Sequence, residues 1–183
     1  MEYDNNYIFN SQLALPYLES DERMIEQIFT ILNNKFELKP HSSQKFIDLG
    51  AGDGTVIIHS ALHYDIVSVG VEIKESLIED LKARIECIKK KEKEFRSRLE
   101  KIKVIQGDLF QQTLESFDFV YIFSLPTMQR FLNHVFQTAG KGTIFVSYKY
   151  PLEDFPYLSE EHQFTTEIND KENSAYFYRK KEK

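Results

Sequence analysis

The residues best suited to chemistry lie in Phe46-Ile47-Asp48-Leu49-Gly50-Ala51-Gly52-Asp53-Gly54-Thr55. Glycines at 50, 52 and 54 follow a strand-like run and open a helical one, where a backbone bends tightly and lets a ligand come close. A dinucleotide-binding turn needs a further glycine at position 55, which is threonine here. Charge separates the readings further. Pyrophosphate at such a turn relies on bare amides and the positive end of a helix, and Asp48 and Asp53 both oppose it. A ligand carrying an ammonium and a sulfonium is drawn to the same two acids. The plainer alternative is that these glycines and acids only form a turn.

Two later strand ends carry matching signals. In Val69-Gly70-Val71-Glu72-Ile73, Glu72 comes 20 residues after Gly52. A carboxylate there accepts hydrogen bonds from both ribose hydroxyls, and Ile73 covers one face of an adenine. In Gln106-Gly107-Asp108-Leu109-Phe110, Asp108 is placed to accept from the adenine amino group. Open parallel sheets bind ligands at strand C-terminal ends, and three acid-bearing turns in succession point to S-adenosylmethionine.

The elements that must hold these turns follow from periodicity. Met24, Ile25, Ile28, Phe29, Ile31 and Leu32 recur at helical spacing behind Ser20 and Asp21, both candidate caps. Strands are expected at Phe46–Leu49, Ile66–Val71, Ile102–Ile105, Phe117–Phe123 and Gly142–Tyr148. Helices are expected at Thr55–Tyr64, from about Lys74 to about Leu99, and at Met128–Thr138. The second half of the long helix offers only Phe95 and Leu99 as apolar residues, so it is expected to project beyond the core. Two further strands, His162–Ile168 and Ala175–Tyr178, flank a hairpin-type loop at Asn169–Asn173. Strands alternating with helices imply a Rossmann-like α/β fold: a seven-stranded, mostly parallel sheet with a C-terminal antiparallel hairpin and helices on both faces. No repeat or linker divides the chain. One domain is expected, with residues 1–44 as lead-in and first helix and 45–183 as core.

Composition narrows the function. The 183 residues carry 23 basic and 29 acidic side chains, a net charge of −6, which gives no strong nucleic-acid signal. No apolar run is long enough to cross a bilayer, and the acidic start MEYDNNYIFN is unlike an export signal. A single cysteine, Cys87, suits a reducing compartment, so a cytoplasmic protein is expected. The window Lys89–Lys103, with eight Lys or Arg against three Glu, is either a solvated helix face or a docking surface for an acidic partner. His59 and His63 lie one helical turn apart without a third ligand, so no metal site is expected.

Written as DLGAGDG, the first motif resembles that of the class I S-adenosylmethionine-dependent methyltransferases. From about Pro16 onward the chain is similar to the seven-strand protein lysine methyltransferases, both the archaeal type and the Dot1-type histone enzymes. The segment Pro16-Tyr17-Leu18-Glu19-Ser20 stands where those groups carry a tyrosine-containing turn. Val146-Ser147-Tyr148-Lys149-Tyr150-Pro151-Leu152, then Phe155-Pro156, resembles the archaeal-type ending, whereas the basic helix is more like the Dot1 type. After the fourth strand this chain has Ile122-Phe123-Ser124-Leu125-Pro126, where Dot1-type enzymes carry paired asparagines. The resemblance implies cofactor contacts from Tyr17, Asp48, Gly50, Gly52, Glu72 and Asp108, and Ser20, Ala51, Gly54, Ile73 and Leu109 are candidate contacts beside them.

Methyl transfer from a sulfonium is a displacement on an electrophile that is already activated, so the protein must align the nucleophile and exclude water. A lysine amine, with a pKa of about 10.4 in water, must first lose a proton, which burial in an apolar channel favours. Tyr121, Phe123, Ser124 and Pro126 are expected to line the methyl end as a narrow aromatic passage, with no dedicated base. Methylases of DNA bases carry a polar Asn/Asp-Pro-Pro-aromatic head there, which FSLP lacks. The expected activity is methylation of protein lysine by in-line displacement. Small-molecule or RNA methylation, and a non-catalytic cofactor-binding module, stand as alternatives.

Overall fold

A computed structural model describes residues 19–182. Its seven strands form one sheet in the order β3-β2-β1-β4-β5-β7-β6. Strands β1 (Lys45–Leu49), β2 (Val67–Glu72), β3 (Ile102–Gln106), β4 (Phe119–Ile122) and β5 (Ile144–Tyr148) are parallel neighbours. Strand β7 (Lys171–Lys180) runs antiparallel beside β5, and β6 (Leu158–Ile168) closes the edge antiparallel to β7. The chain crosses outward from β1 to β2 and β3, then returns to the other side of β1 with β4. That reversal opens a crevice beyond the C-terminal ends of β1, β2 and β4.

Successive side chains of a strand point to opposite faces, so a sheet covered on both sides must be apolar at every position. Phe46, Phe119, Tyr121, Ile144 and Val146 pack on one face, with helix α1 (Glu22–Lys35), helix α2 (Thr55–His59) and helix α3 (Glu75–Lys91). Ile47, Leu49, Val69, Val71, Val120, Ile122 and Phe145 pack on the other, with Leu132, Val135 and Phe136. Helix α1 starts where Asp21 accepts the Arg23 N–H, and it buries Met24, Ile25, Ile28, Phe29 and Leu32. Helix α2 continues into one π-helical stretch, Ser60–Tyr64, which ends on left-handed Asp65.

Three expected elements take a different form. The helix following Lys74 does not run to Leu99. It stops at Lys91, Glu92 breaks the helical backbone, and a short turn (Lys93–Phe95) leads into helix α4 (Arg96–Leu99). After Ile88 a straight helix has no apolar stripe to lay on the core, whereas the break folds Leu99 back until it is only 1% exposed. Arg98 then donates to the Leu62 carbonyl at 2.5 Å, so this segment packs on the body of the protein. The hairpin loop shrinks to Asn169 and Asp170, both left-handed (φ 52° and 58°), as a two-residue turn between twisted strands requires. Expected as one helix, the run before β5 begins at Pro126 and is built from helix α5 (Pro126–Gln129), a tight turn at Arg130–Leu132 and helix α6 (Asn133–Gln137).

Candidate active site

The turn after β1 is stitched to β2. Gly50 and Ala51 both donate to the Val71 carbonyl, at 3.0 and 2.8 Å, and Gly54 donates back to the Ala51 carbonyl at 2.8 Å. Gly50, Gly52 and Gly54 all have positive φ (94°, 54° and 80°). Two glycines are also fixed by space. A Cβ on Gly54 lies 1.8 Å from Leu81 Cδ1, and one on Gly70 in β2 lies 2.7 Å from the Ala51 Cβ. Helix α3 and strand β2 therefore press directly on the turn.

Asp48 is the second-last residue of β1, paired between Gly70 and Tyr121, and is 3% exposed. Among the described residues none donates a hydrogen bond to it. Burial first, then the neighbouring Glu72 and Asp53 carboxylates, push its pKa well above the usual aspartate range. Glu72 ends β2 in a contrasting state. Its Oε2 accepts the Gly52 N–H and its Oε1 accepts the N–H groups of Ile73 and Lys74, each at 2.9 Å. Of about four acceptor sites on a carboxylate, one remains. The expectation that Glu72 receives two ribose hydroxyls thus meets a group already largely occupied by backbone.

Asp53, read from the sequence with Asp48 as one of two acids in the turn that draw a cationic ligand, is engaged elsewhere. It accepts from the Thr55 N–H (3.1 Å), the Thr55 hydroxyl (2.8 Å) and Arg84 Nη1 (2.8 Å). Asp108 follows β3 and accepts the Phe110 N–H at 2.8 Å through Oδ1, capping a short turn at Leu109–Gln111. Leu109 Cδ2 lies 3.9 Å from where a Cβ on Gly50 would stand. Ile73, directly after Glu72, is 56% exposed, an uncovered apolar surface next to Glu72. These residues fit a group with an apolar ring and a positive centre: an exposed isoleucine to cover, and a buried carboxyl that accepts no hydrogen bond among the described residues.

Beyond β4 the site is aromatic. Tyr121, expected to wall the passage, is instead inside the core (2% exposed), because it shares the Phe46 and Phe119 face of the sheet. Its hydroxyl hydrogen-bonds Ser20 Oγ at 2.7 Å, so Ser20 anchors the entry to α1 while Asp21 caps it. Tyr17 lies outside the described residues. Phe123 meets Tyr148 edge-on at 4.7 Å and Tyr150 at 6.5 Å between ring centroids. Lys149 Nζ stands over the Phe123 ring, 5.9 Å from its centroid. Ser124 Oγ is buried without a partner among the described residues. Pro126 is the exposed first residue of α5 and does not belong to this cluster's interior.

Arg84, Lys149 and the ring positions of Tyr148 and Tyr150 are absent from the sequence reading of the site. Arg84 sits three residues after Leu81, the α3 residue that meets Gly54, and that spacing is the one signal for it. The rings of His59 and His63 meet at a tilt of 37°, 4.4 Å between centroids, and burial together with His63 pushes His59 down to about 4. Among the described residues no three His, Cys, Asp or Glu converge as a metal site, and no helix is long and apolar enough to cross a membrane.

The family model of the ANTKMT methyltransferase domain matches residues 48–158, from the first acid of the turn to the start of β6. A search of curated proteins gives no match. Among solved structures, an RNA methyltransferase from Salinibacter ruber, crystallised with S-adenosyl-L-homocysteine, is similar at a TM-score of 0.69 and 20% identity. The match covers 91% of this chain and 95% of that one. The B. subtilis tRNA methyltransferase TrmK is similar at a TM-score of 0.64 and 12% identity, over 90% of this chain and 67% of that one. At such identities the likeness is one of fold: a seven-strand methyltransferase sheet.

Proposed function

Since the chain belongs to the ANTKMT methyltransferase domain family, we propose that it is a protein lysine methyltransferase of the archaeal type. S-adenosylmethionine is its methyl donor and, when bound, supplies an activated methyl group. Asp48 neutralises the donor's positive charge, Ile73 and Leu109 cover its adenine, Asp108 accepts from the adenine amino group, and Glu72 has one acceptor site for the ribose. The observation that carries the lysine reading is the cluster beyond β4, where half-buried Phe123, backed edge-on by the core residue Tyr148 and flanked by Tyr150, already has the Lys149 ammonium against its ring face. A substrate lysine is recognised by the same chemistry. The ring face holds the arriving ammonium, burial away from water then favours loss of its proton, and the Ser124 hydroxyl, without a partner among the described residues, accepts an amine hydrogen.

RNA methylation is the second reading. It is supported by exposed Lys90, Lys91, Lys93, Arg96 and Lys103, which also form the candidate docking surface for an acidic partner. One experiment separates the two. The protein is incubated with methyl-labelled donor and whole-cell extract, and the label is traced to protein, RNA or metabolites. Label recovered as methyl-lysine after acid hydrolysis is the expected result. Label confined to RNA or small molecules overturns the lysine reading.

A further inference from the structure

Arg84 joins three elements around the turn. From α3, its Nη1 donates to Asp53 Oδ2 at 2.8 Å and to Thr55 Oγ1 at 2.6 Å, while Nη2 stands 3.6 Å from Glu22 Oε1 of α1. The Thr55 hydroxyl donates in turn to Asp53, which closes a triangle of three side chains. One helical turn earlier on α3, Leu81 leaves no room for a side chain at Gly54. Asp53 and Thr55 flank Gly54, so α3 grips the last glycine of the turn from above and its two neighbours from the side.

We propose that Arg84 is a positioning residue for the cofactor: it draws the Asp53 carboxylate toward α3 and so sets the shape of the Gly50–Gly54 turn. The inference rests on the reading that this turn holds S-adenosylmethionine, and it carries an unusual sign. A cation close to a site for a cationic ligand repels it, so by charge alone removing Arg84 strengthens binding. As a positioning residue, its removal weakens binding.

Calorimetry with two ligands tells these apart, because S-adenosylmethionine carries the sulfonium charge and S-adenosylhomocysteine does not. R84Q is expected to lose affinity for both by a similar factor, about tenfold, the scale of one charge-assisted hydrogen bond. Circular dichroism at the same temperature shows that the variant is folded. R84K, which keeps the charge without the fork, is expected to recover part of the loss. The double variant D53N/R84Q is expected to bind no worse than R84Q, since Arg84 acts through Asp53. Wild-type affinity in R84Q, a gain for S-adenosylmethionine over S-adenosylhomocysteine, or additive losses in the double variant would each overturn the proposal. If the wild-type protein binds neither ligand, the assignment of the turn fails instead, which is a separate result.

Discussion

Burial of the Asp48 carboxyl beside Glu72 and Asp53 raises its pKa, so the folded chain holds that proton more tightly than the unfolded one. By linkage its cost to stability is absent below the unfolded value of about 3.8 and grows as pH rises toward the raised folded value. A cationic ligand reverses the preference by stabilising the ionised form. Asp48→Asn is therefore expected to melt at a higher temperature than wild type toward neutral and alkaline pH. The same variant is expected to lose about 100-fold in affinity for S-adenosylmethionine, the scale of an unpaired buried charge. Thermal unfolding across pH and calorimetry check the two halves, and a variant that melts lower and binds normally refutes both. Asp48, Glu72 and Asp108 are legible in the sequence because each lies at or just past the end of a strand that the hydrophobic pattern delimits. What their neighbours do is not. Nothing in the motif shows that the Gly52 N–H reaches Glu72 or that Arg84 claims Asp53, since both partners arrive through tertiary packing. Tyr121 is misplaced for a related reason: β4 is apolar at every position, so its alternation does not say which residues face α1.

At the scale of elements, the α3–turn contact makes a sharp prediction. Gly54→Ala adds a methyl where Leu81 Cδ1 stands 1.8 Å away, at a φ of 80° that disfavours side chains. The expected cost is about 2–4 kcal/mol in denaturant unfolding. Because Leu81 is itself buried, the comparison is made against Leu81→Ala alone: in that background Gly54→Ala should cost less by the part due to the clash and keep the part due to φ. If the cost is unchanged in that background, the clash is not the cause. The α2 helix gives a pH-dependent case. His59 is pushed down to about 4, so the unfolded chain takes up its proton first, and stability is lost as pH falls from about 6.5 toward 4. His59→Gln is expected to flatten that part of the melting-temperature profile, and an unchanged slope would assign the loss to other groups. Element order is readable because period and turn residues agree along most of the chain. The break at Glu92 is not, because charged residues with high helix propensity continue through it, and only the need to bury Leu99 ends the helix.

For the whole molecule, the net charge of −6 conceals a division between two ends. The acids of the site lie at the C-terminal ends of the strands. Helix α3 leaves that end at Glu75 and runs 17 residues to Lys91, a rise of about 25 Å, so the basic segment stands at the opposite end of the sheet. Lys89 pairs with Glu86, Lys101 with Asp65, and Arg98 with the Leu62 carbonyl, while Lys90, Lys91, Lys93, Arg96 and Lys103 remain exposed. Ionic screening has a length of about 8 Å under physiological salt, so these charges cannot steer a small substrate into a site three screening lengths away. Only a substrate large enough to span the molecule reaches both. The charge reversal K90E/K91E/K93E is therefore expected to leave donor affinity and methylation of a short lysine peptide unchanged. With a large acidic protein it is expected to raise KM about tenfold at low salt, and the difference from wild type should shrink as salt rises. Equal loss on peptide and protein would mean that the segment acts on the site itself. Equal activity on both would make it a solvated surface with no part in substrate choice.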